Sequence, residues 1–538
     1  MRVRFRRSLA LVAVALVVWA VGPLALLLAL GSLAVPRVRR WLRPTWRVVA
    51  GWTASVAVLV GVVVLLPDGF LPIPPGIGSL ATPRYVGSPA TPQPIDLRVP
   101  QHPRLAVNGT SAMHNDGWST DAYAGPGPLG ESPSVDTAWY GGQECATLAF
   151  DAQGRLIALC GNISGPVLHV LDPETMRAQD TLELPARRDN GNDKLPWENL
   201  CGGSYFFLDD QDRAVTATTE RAIVAVTTAD GRGEPDLTIQ TSYDLSGDVP
   251  EDDCLIALMP DWDGRIWFGT EDGRVGFVDP GTGKVRLLEL GEEIANSFSV
   301  GEDGGVYVVT VEALYKLGVD PAGRPTVRWR TIYDRGTEQK DGQLSRGSGT
   351  TPTILPSGLV AITDNADPKM NVQFYTVHGG DLVCQQTVFE DGESASDNSL
   401  VAVGPSGVVV ENNYGYTGPL RTVLGRATPG GFARVDVVDG DCGVVWTNDQ
   451  VAPTSVAKVS LANGLVYAYT KRRSLLGVNA WYFTAIDART GRTAFSVRTG
   501  IGSMFNNHYS AVTLGPDGSA YVATLTGMVR IRDRERSS

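Results

Sequence analysis

The sequence predicts an all-β protein, an eight-bladed β-propeller preceded by two N-terminal transmembrane helices. Three observations carry this. A short turn built on Gly or Asp recurs eight times between apolar strands, every 41 to 58 residues. Helical periodicity is absent from that whole region. Two long, nearly uncharged apolar runs stand before it, at residues 9–35 and 48–66.

Each apolar run holds about twenty residues or more, enough to cross a hydrocarbon core of roughly 30 Å. Residues 1–67 are therefore expected to engage a lipid bilayer through two helices. A cleavable signal peptide is the rival reading of the first run. That run is too long for one, and a second follows at once. Arg2, Arg4, Arg6 and Arg7 precede the first run, and Arg37, Arg39, Arg40, Arg43 and Arg47 fill the loop between the two. Both flanks compete for the cytoplasmic side. With the more charged loop inside, both termini and the large domain lie outside, so the expected location is the cell membrane with an extracytoplasmic propeller.

Residues 68–104 form a Pro-rich linker; ten prolines fall between Pro67 and Pro103. Such a segment is a semi-extended tether. The remainder, 105–538, is the propeller with an N-terminal closing segment. Its first part resists assignment. Met113 to Tyr123 is rich in polar groups, and its simplest reading is an ordered loop packed over the first repeat.

The eight turns run from Asp151-Ala152-Gln153-Gly154 to Gly515-Pro516-Asp517-Gly518. Strands such as Leu156 to Leu159, Val306 to Val309 and Val466 to Tyr469 follow them. The spacing leaves room for four strands per unit. Units of that kind cannot bury both faces alone and stack around an axis as blades. Eight turns imply eight blades, or seven or nine if one is miscounted. The chain ends soon after Val529 to Arg532, which reads as a third strand. The missing outer strand is expected from Val135 to Tyr140, so that the two ends close the ring and remove its edge.

Net charge is −12 and the pI about 5.0, which leaves no basic face for nucleic acid. The six cysteines form no CxxC pair, so zinc and thioredoxin-like chemistry lack support. Cys145 and Cys160 flank one turn, Cys201 and Cys254 hold equivalent places in neighbouring units, and Cys384 and Cys442 open neighbouring outer strands. Three disulfides fit this map; buried thiols remain the alternative.

One repeat is sharper than the rest. Ala485-x-Asp487-x-x-Thr490-Gly491, with Phe495 where a Trp is usual, resembles the repeat of pyrroloquinoline-quinone-type propellers (the quinoprotein alcohol dehydrogenase-like class). Ala433-x-x-Asp436 with Trp446 is similar but looser. The resemblance covers roughly residues 140–533. It implies that the Trp docks neighbouring blades, which is a structural role. Quinone dehydrogenases of this class often carry a vicinal Cys-Cys pair over the cofactor, and this sequence has none.

Propeller geometry gathers the loops before each innermost strand on one face, opposite the generic turns. The residues there are Glu144, Asn199, Asp253, Asn296, Thr350, Asn398, Ser455 and Asn507, with His508 alongside. Glu411-Asn412-Asn413 leave a second strand on the same face. Carboxylate and amide oxygens converging on an axis suit a hard cation such as Ca²⁺. Glu144, Asn199, Asp253, Asn296 and Glu411 are the expected metal ligands. Asn398, Asn412 and Asn507 are the expected cofactor-binding side chains, and His508 the expected general base. A water-filled polar channel is the bland alternative. Long loops at 186–198 and 331–349 could serve as lids. No Walker loop, HExxH or serine-triad order stands out. The function expected is binding of a small molecule or protein partner on the loop-rich face. The alternative is a quinone-type oxidoreductase or Ca²⁺-dependent hydrolase.

Overall fold

The computed structural model describes residues 2–42, 46–64, 66–162, 164–186, 201 and 205–534. Eight antiparallel sheets follow one another in chain order, and innermost strands touch between blades 1 and 2, 2 and 3, 3 and 4, 5 and 6, and 6 and 7. Blade 1 comprises Glu144–Phe150, Leu156–Gly161, Pro166–Leu171 and Ala178–Glu183. Its second and third strands are almost wholly buried because other blades cover both faces, so they read as continuous apolar runs. Its outermost strand alternates between half-buried and exposed residues. Blades 2 to 6 repeat this gradient, whereas in blade 7 the outer strand Thr493–Ile501 is covered by Tyr85–Gly87, and the expected all-β, eight-bladed propeller is found.

The ring closes as the truncated last repeat predicts. Blade 8 takes Val512–Leu514, Ala520–Thr524 and Gly527–Asp533 from the C-terminal end. Its fourth strand is Pro133–Trp139, paired antiparallel with Gly527–Asp533. The Asp533 carboxylate accepts the backbone N–H groups of Leu129 and Gly130, at 2.6 and 3.0 Å.

The recurring turns are held by their own chemistry. Asp151, Asp209 and Asp261 each accept backbone N–H groups two and four residues on. Each then pairs with an arginine four residues later: Arg155, Arg213 or Arg265. Between blades, the Trp446 indole N–H donates to the carbonyl of Ala488 at 2.9 Å. Its ring lies on Gly491, where a Cβ would come within 2.5 Å. Trp329 docks likewise against Gly380 and donates to Val377 O. Phe495 packs instead on Gly130 and Tyr85, both from the N-terminal segment.

Three disulfides join the pairs that the repeat map brings together. They are Cys145–Cys160, Cys201–Cys254 and Cys384–Cys442, with Cα separations of 3.7, 5.4 and 5.6 Å. The second clasps blades 2 and 3, and the third clasps blades 5 and 6.

The N-terminal expectation needs correction. The run at 9–35 is not one helix: α1 (Arg2–Val21) stops at Gly22, whose φ is 108°, and α2 (Pro23–Ser32) starts afresh at a proline. Pro23 has no N–H with which to continue the first helix. α2 has 10 residues, about 15 Å of helix. After α3 (Pro36–Leu42), α4 (Trp46–Val64) carries Arg47 in its first turn, which leaves about 25 Å of apolar helix. Among the described residues no helix is long and apolar enough to cross a membrane. The Pro-rich segment is extended but lies against the ring. Ile73 and Leu97 are buried, and Ile95 donates its N–H to Leu461 O. The first potential lid, 186–198, falls almost wholly outside the described residues.

Trp446→Ala removes both the interblade hydrogen bond and the ring that fills the seam. A loss of about 3–5 kcal/mol is expected, read as a lower urea midpoint.

Candidate functional site at the loop-rich mouth

The stretch Met113 to Tyr123 does not lie over the first repeat. It runs inside the ring and supplies carbonyls to the innermost strands of several blades. Leu208 N–H donates to Ser111 O, Val300 to Gly117, Ile354 to Trp118, Ala402 to Thr120 and Val459 to Asp121. Ala122–Tyr123 pairs parallel to Lys458–Ser460 of blade 7. The segment enters from the turn face, where the His102 ring packs at a tilt against Trp262, with centroids 4.0 Å apart. The channel is thus plugged by the chain's own backbone.

The plug carries buried charge. Asp121 is fully buried and meets the ammonium of Lys458, with His114 Nδ1 at 3.1 Å and Ser399 Oγ at 2.6 Å. Burial pushes the Asp121 carboxyl up, but Lys458 and His114 outweigh it and hold it below the usual range. Among the described residues Asp116 forms no salt bridge of its own, although Lys458 lies near enough to feel its charge. Burial raises the Asp116 carboxyl to about 7, against the opposing hydrogen bonds from Thr120 and Trp118.

Above the plug, on the loop-rich face, the structure brings some of the predicted residues together. His508 Nδ1 lies 3.0 Å from Glu144 Oε1. His508 and Tyr509 both sit in the left-handed region, with φ of 38° and 66°, a costly conformation for side-chain-bearing residues. Two asparagines enforce it. Asn506 Oδ1 accepts the His508 N–H, and the Asn507 amide donates to Thr454 O and Ser510 O. Tyr416 is buried edge-on to Tyr509, with ring centroids 5.7 Å apart. The Tyr509 hydroxyl donates to Gly342 O, tying down the loop at 331–349. These groups line a cavity of about 280 Å³ with Lys340, Asp341 and Thr417.

Asn398 and Glu411 also meet. The Asn398 amide donates to Glu411 Oε1 at 2.9 Å and to Ser455 O at 2.8 Å, and Asn413 donates to the same carboxylate oxygen. Glu411 Oε2 is buried with no hydrogen-bond partner among the described residues, and burial pushes this carboxyl well above its usual range. Asn412 spends both ends of its amide on backbone groups, and Asn507 spends its NH₂ the same way. Asp253 is taken by Arg274 at 2.6 Å and by the N–H groups of Cys254 and Asp272. Asn296 has a buried amide nitrogen with no partner among the described residues. Asn199 lies outside the described residues. Among the described residues, the carboxylates of Glu144, Asp253 and Glu411 do not converge on one set of ligand positions.

Sequence reasoning missed Tyr416, Tyr509 and Asp397. Asp397 is buried, accepts the Leu344 N–H, and is raised to about 7 by desolvation. The readable signal for the tyrosines was their place, Tyr416 three residues after Asn413 and Tyr509 immediately after His508.

No family model matches the chain. A protein of Archaeoglobus fulgidus described as uncharacterized is 29% identical over 315 residues. The match covers 52% of this chain and 60% of that relative's length. Among solved structures, BamB from Moraxella catarrhalis aligns over 60% of this chain and 93% of its own, at 14% identity and a TM-score of 0.35. A streptogramin B lyase aligns over 75% of this chain and 98% of its own, at 8% identity and a TM-score of 0.38. The class defined by the strand pairings is a closed, plugged, disulfide-bonded eight-bladed propeller.

Two outcomes test this reading of the interior. Lys458→Met leaves Asp121 buried with reduced compensation and should cost about 3–5 kcal/mol; adding Asp121→Asn should recover part of it in a denaturation cycle. Asp397 keeps a proton in the fold that the unfolded chain releases near its ordinary pKa. Stability is therefore lost as pH rises from about 4 to about 7, and the loss is complete above that. Asp397→Asn retains an acceptor for Leu344. It should raise the melting temperature at alkaline pH and change it little near pH 4.

Proposed function

We propose that this chain is an extracytoplasmic binding propeller. Its ligand or partner docks at the loop-rich mouth around Tyr416, His508, Tyr509 and the loop at 331–349. The plug is the observation that carries this reading. It fills the axis with the chain's own backbone, so a visitor is left the mouth rather than the channel. Two strained aromatic residues held rigidly over a cavity fit recognition, since strain of this kind persists where surroundings over-determine it. The three disulfides support a compartment outside the cytoplasm. The exposed apolar side chains of α1, α2 and α4, among them Leu9, Leu28 and Trp52, support attachment to a lipid surface.

The Glu144–His508 contact favours a second reading, an enzyme in which Glu144 orients His508 as a general base. A Ca²⁺-dependent hydrolase is the form closest to the residues at the mouth, and a quinone oxidoreductase the more distant one.

Thermal shift and calorimetry on the full chain with Ca²⁺, pyrroloquinoline quinone and a panel of oligosaccharides separate these. The binding reading expects a stabilising ligand whose effect disappears in His508→Ala and Tyr416→Phe. It fails if every shift persists in both variants or if none occurs. Saturable heat with Ca²⁺ that is lost in Glu144→Gln would move the assignment to the hydrolase.

A further inference from the structure

The rim of the loop-rich face at blades 6 to 8 departs from the rest of the surface. Leu475 is 98% exposed, Leu420 78% and Leu424 60%, with Leu476 and Met504 exposed beside them. A monomeric surface rarely gathers large apolar side chains in this way without something to cover them. The loops that carry them, 412–431, 471–479 and 501–511, contain no Asp or Glu, although the whole chain has a net charge of −12. They contain Arg421, Arg426, Arg472 and Arg473 instead. Arg421, Arg426 and Arg473 are exposed, and Arg472 is propped over the Tyr482 ring at 4.7 Å.

The patch is built rigidly. Ser474 donates its N–H to Gly425 O, and Gly425 donates to Asn479 Oδ1, so the first two loops are one unit. It is also continuous with the N-terminal helices. Pro23, the first residue of α2, lies so close to Gly477 that a side chain there would come within 3.3 Å of the ring. The last turn of α1 accepts N–H groups from Gly78 and Ser79 through Trp19 O. Arg498 in turn donates to the carbonyls of Ser79 and Thr82, which fixes this junction to blade 7.

Exposed leucines flanked by arginines, without acids, match the boundary between acyl chains and anionic headgroups. We propose that this rim rests on an anionic lipid bilayer, with Leu420, Leu424, Leu475 and Leu476 in the interface and the four arginines on headgroup phosphates. The mouth pocket then opens toward the membrane surface. This deepens the binding reading, for it restricts ligands to molecules present at that surface.

All six native cysteines are in disulfides, so Leu475→Cys gives one reactive thiol for an environment-sensitive fluorophore. The full chain is mixed with phosphatidylcholine vesicles, with and without phosphatidylglycerol. A label at 475 should shift to the blue and be quenched by spin-labelled lipid, most strongly with phosphatidylglycerol and at low salt. The same label at Leu382, exposed on the outer strand of blade 5, should not respond. Replacing the four arginines by glutamine should weaken the signal's apparent lipid affinity by roughly fivefold per residue. An aqueous signal at 475 while the protein sediments with vesicles overturns the proposal, since the helices alone would then hold the chain. A blue shift on concentrating the protein without lipid overturns it too, because a second copy would be the cover. The assay needs no ligand in the pocket, so its failure is separable from failure of the binding reading.

Discussion

A ring of sheets has two ends, and the whole molecule depends on how they are joined. Here the joint is the pairing of Pro133–Trp139 with Gly527–Asp533, seven residue pairs that bring the two ends of the propeller together. An unpaired third strand in blade 8 would expose a row of N–H and C=O groups and a docking edge for other chains. The pairing also fixes where the preceding residues can go. Asp533 grips Leu129 and Gly130, and the segment before them is delivered to the channel, where Ser111 to Tyr123 satisfies the inner strands. Closure and plugging are therefore one device.

That device explains why the sequence was readable in some places and opaque in others. Blade number was legible because every blade needs the same tight turn, and Asp with Arg four residues on solves it locally in blades 1 to 3. The closing strand was legible from an arithmetic deficit, since the last repeat lacked its fourth strand. The disulfide pairs were legible because equivalent positions in adjacent blades are neighbours in space. The plug was not. Its residues have no period, since each contacts a different blade, and its polar side chains look like a surface loop until the ring surrounds them. Hydropathy failed differently. A window counts apolar residues but does not ask whether the helix is continuous, and Gly22-Pro23 breaks it.

The candidate site shows the same division. Mapping the loops that enter the inner strands and leave the second strands put Glu144, His508, Asn398 and Glu411 on one face, and the structure brings them into contact as the pairs Glu144–His508 and Asn398–Glu411. Residue type alone said less about role. Asn412 was grouped with ligand-binding amides, yet its amide is consumed by four backbone groups that shape its loop. An asparagine matches peptide groups so well that near a crowded axis its commonest employer is the backbone itself. Tyr416 and Tyr509 were passed over because tyrosine in a β-protein is ordinarily core. Only the three-dimensional placement sets them beside the strained His508 backbone.

Charge separates the axis from the mouth as places for function. The axis holds Asp116, Asp397 and Glu411, each buried and pushed toward its protonated form, and Asp121 compensated by Lys458 and His114. Carboxyls held up by burial, or paired internally as Asp121 is, carry less than their full charge near neutral pH, which suits a sealed interior. At the mouth, Glu144 and His508 retain a path to solvent, the aromatic rings present faces and edges, and the loop at 331–349 is pinned through Tyr509. The cations are displaced outward to the rim of blades 6 to 8, beside exposed leucines. A surface that is sealed at its centre, aromatic at its opening and basic at one edge orients whatever it meets from that edge. Activity should therefore be sought where the mouth and the basic rim adjoin, rather than along the axis that the fold has filled.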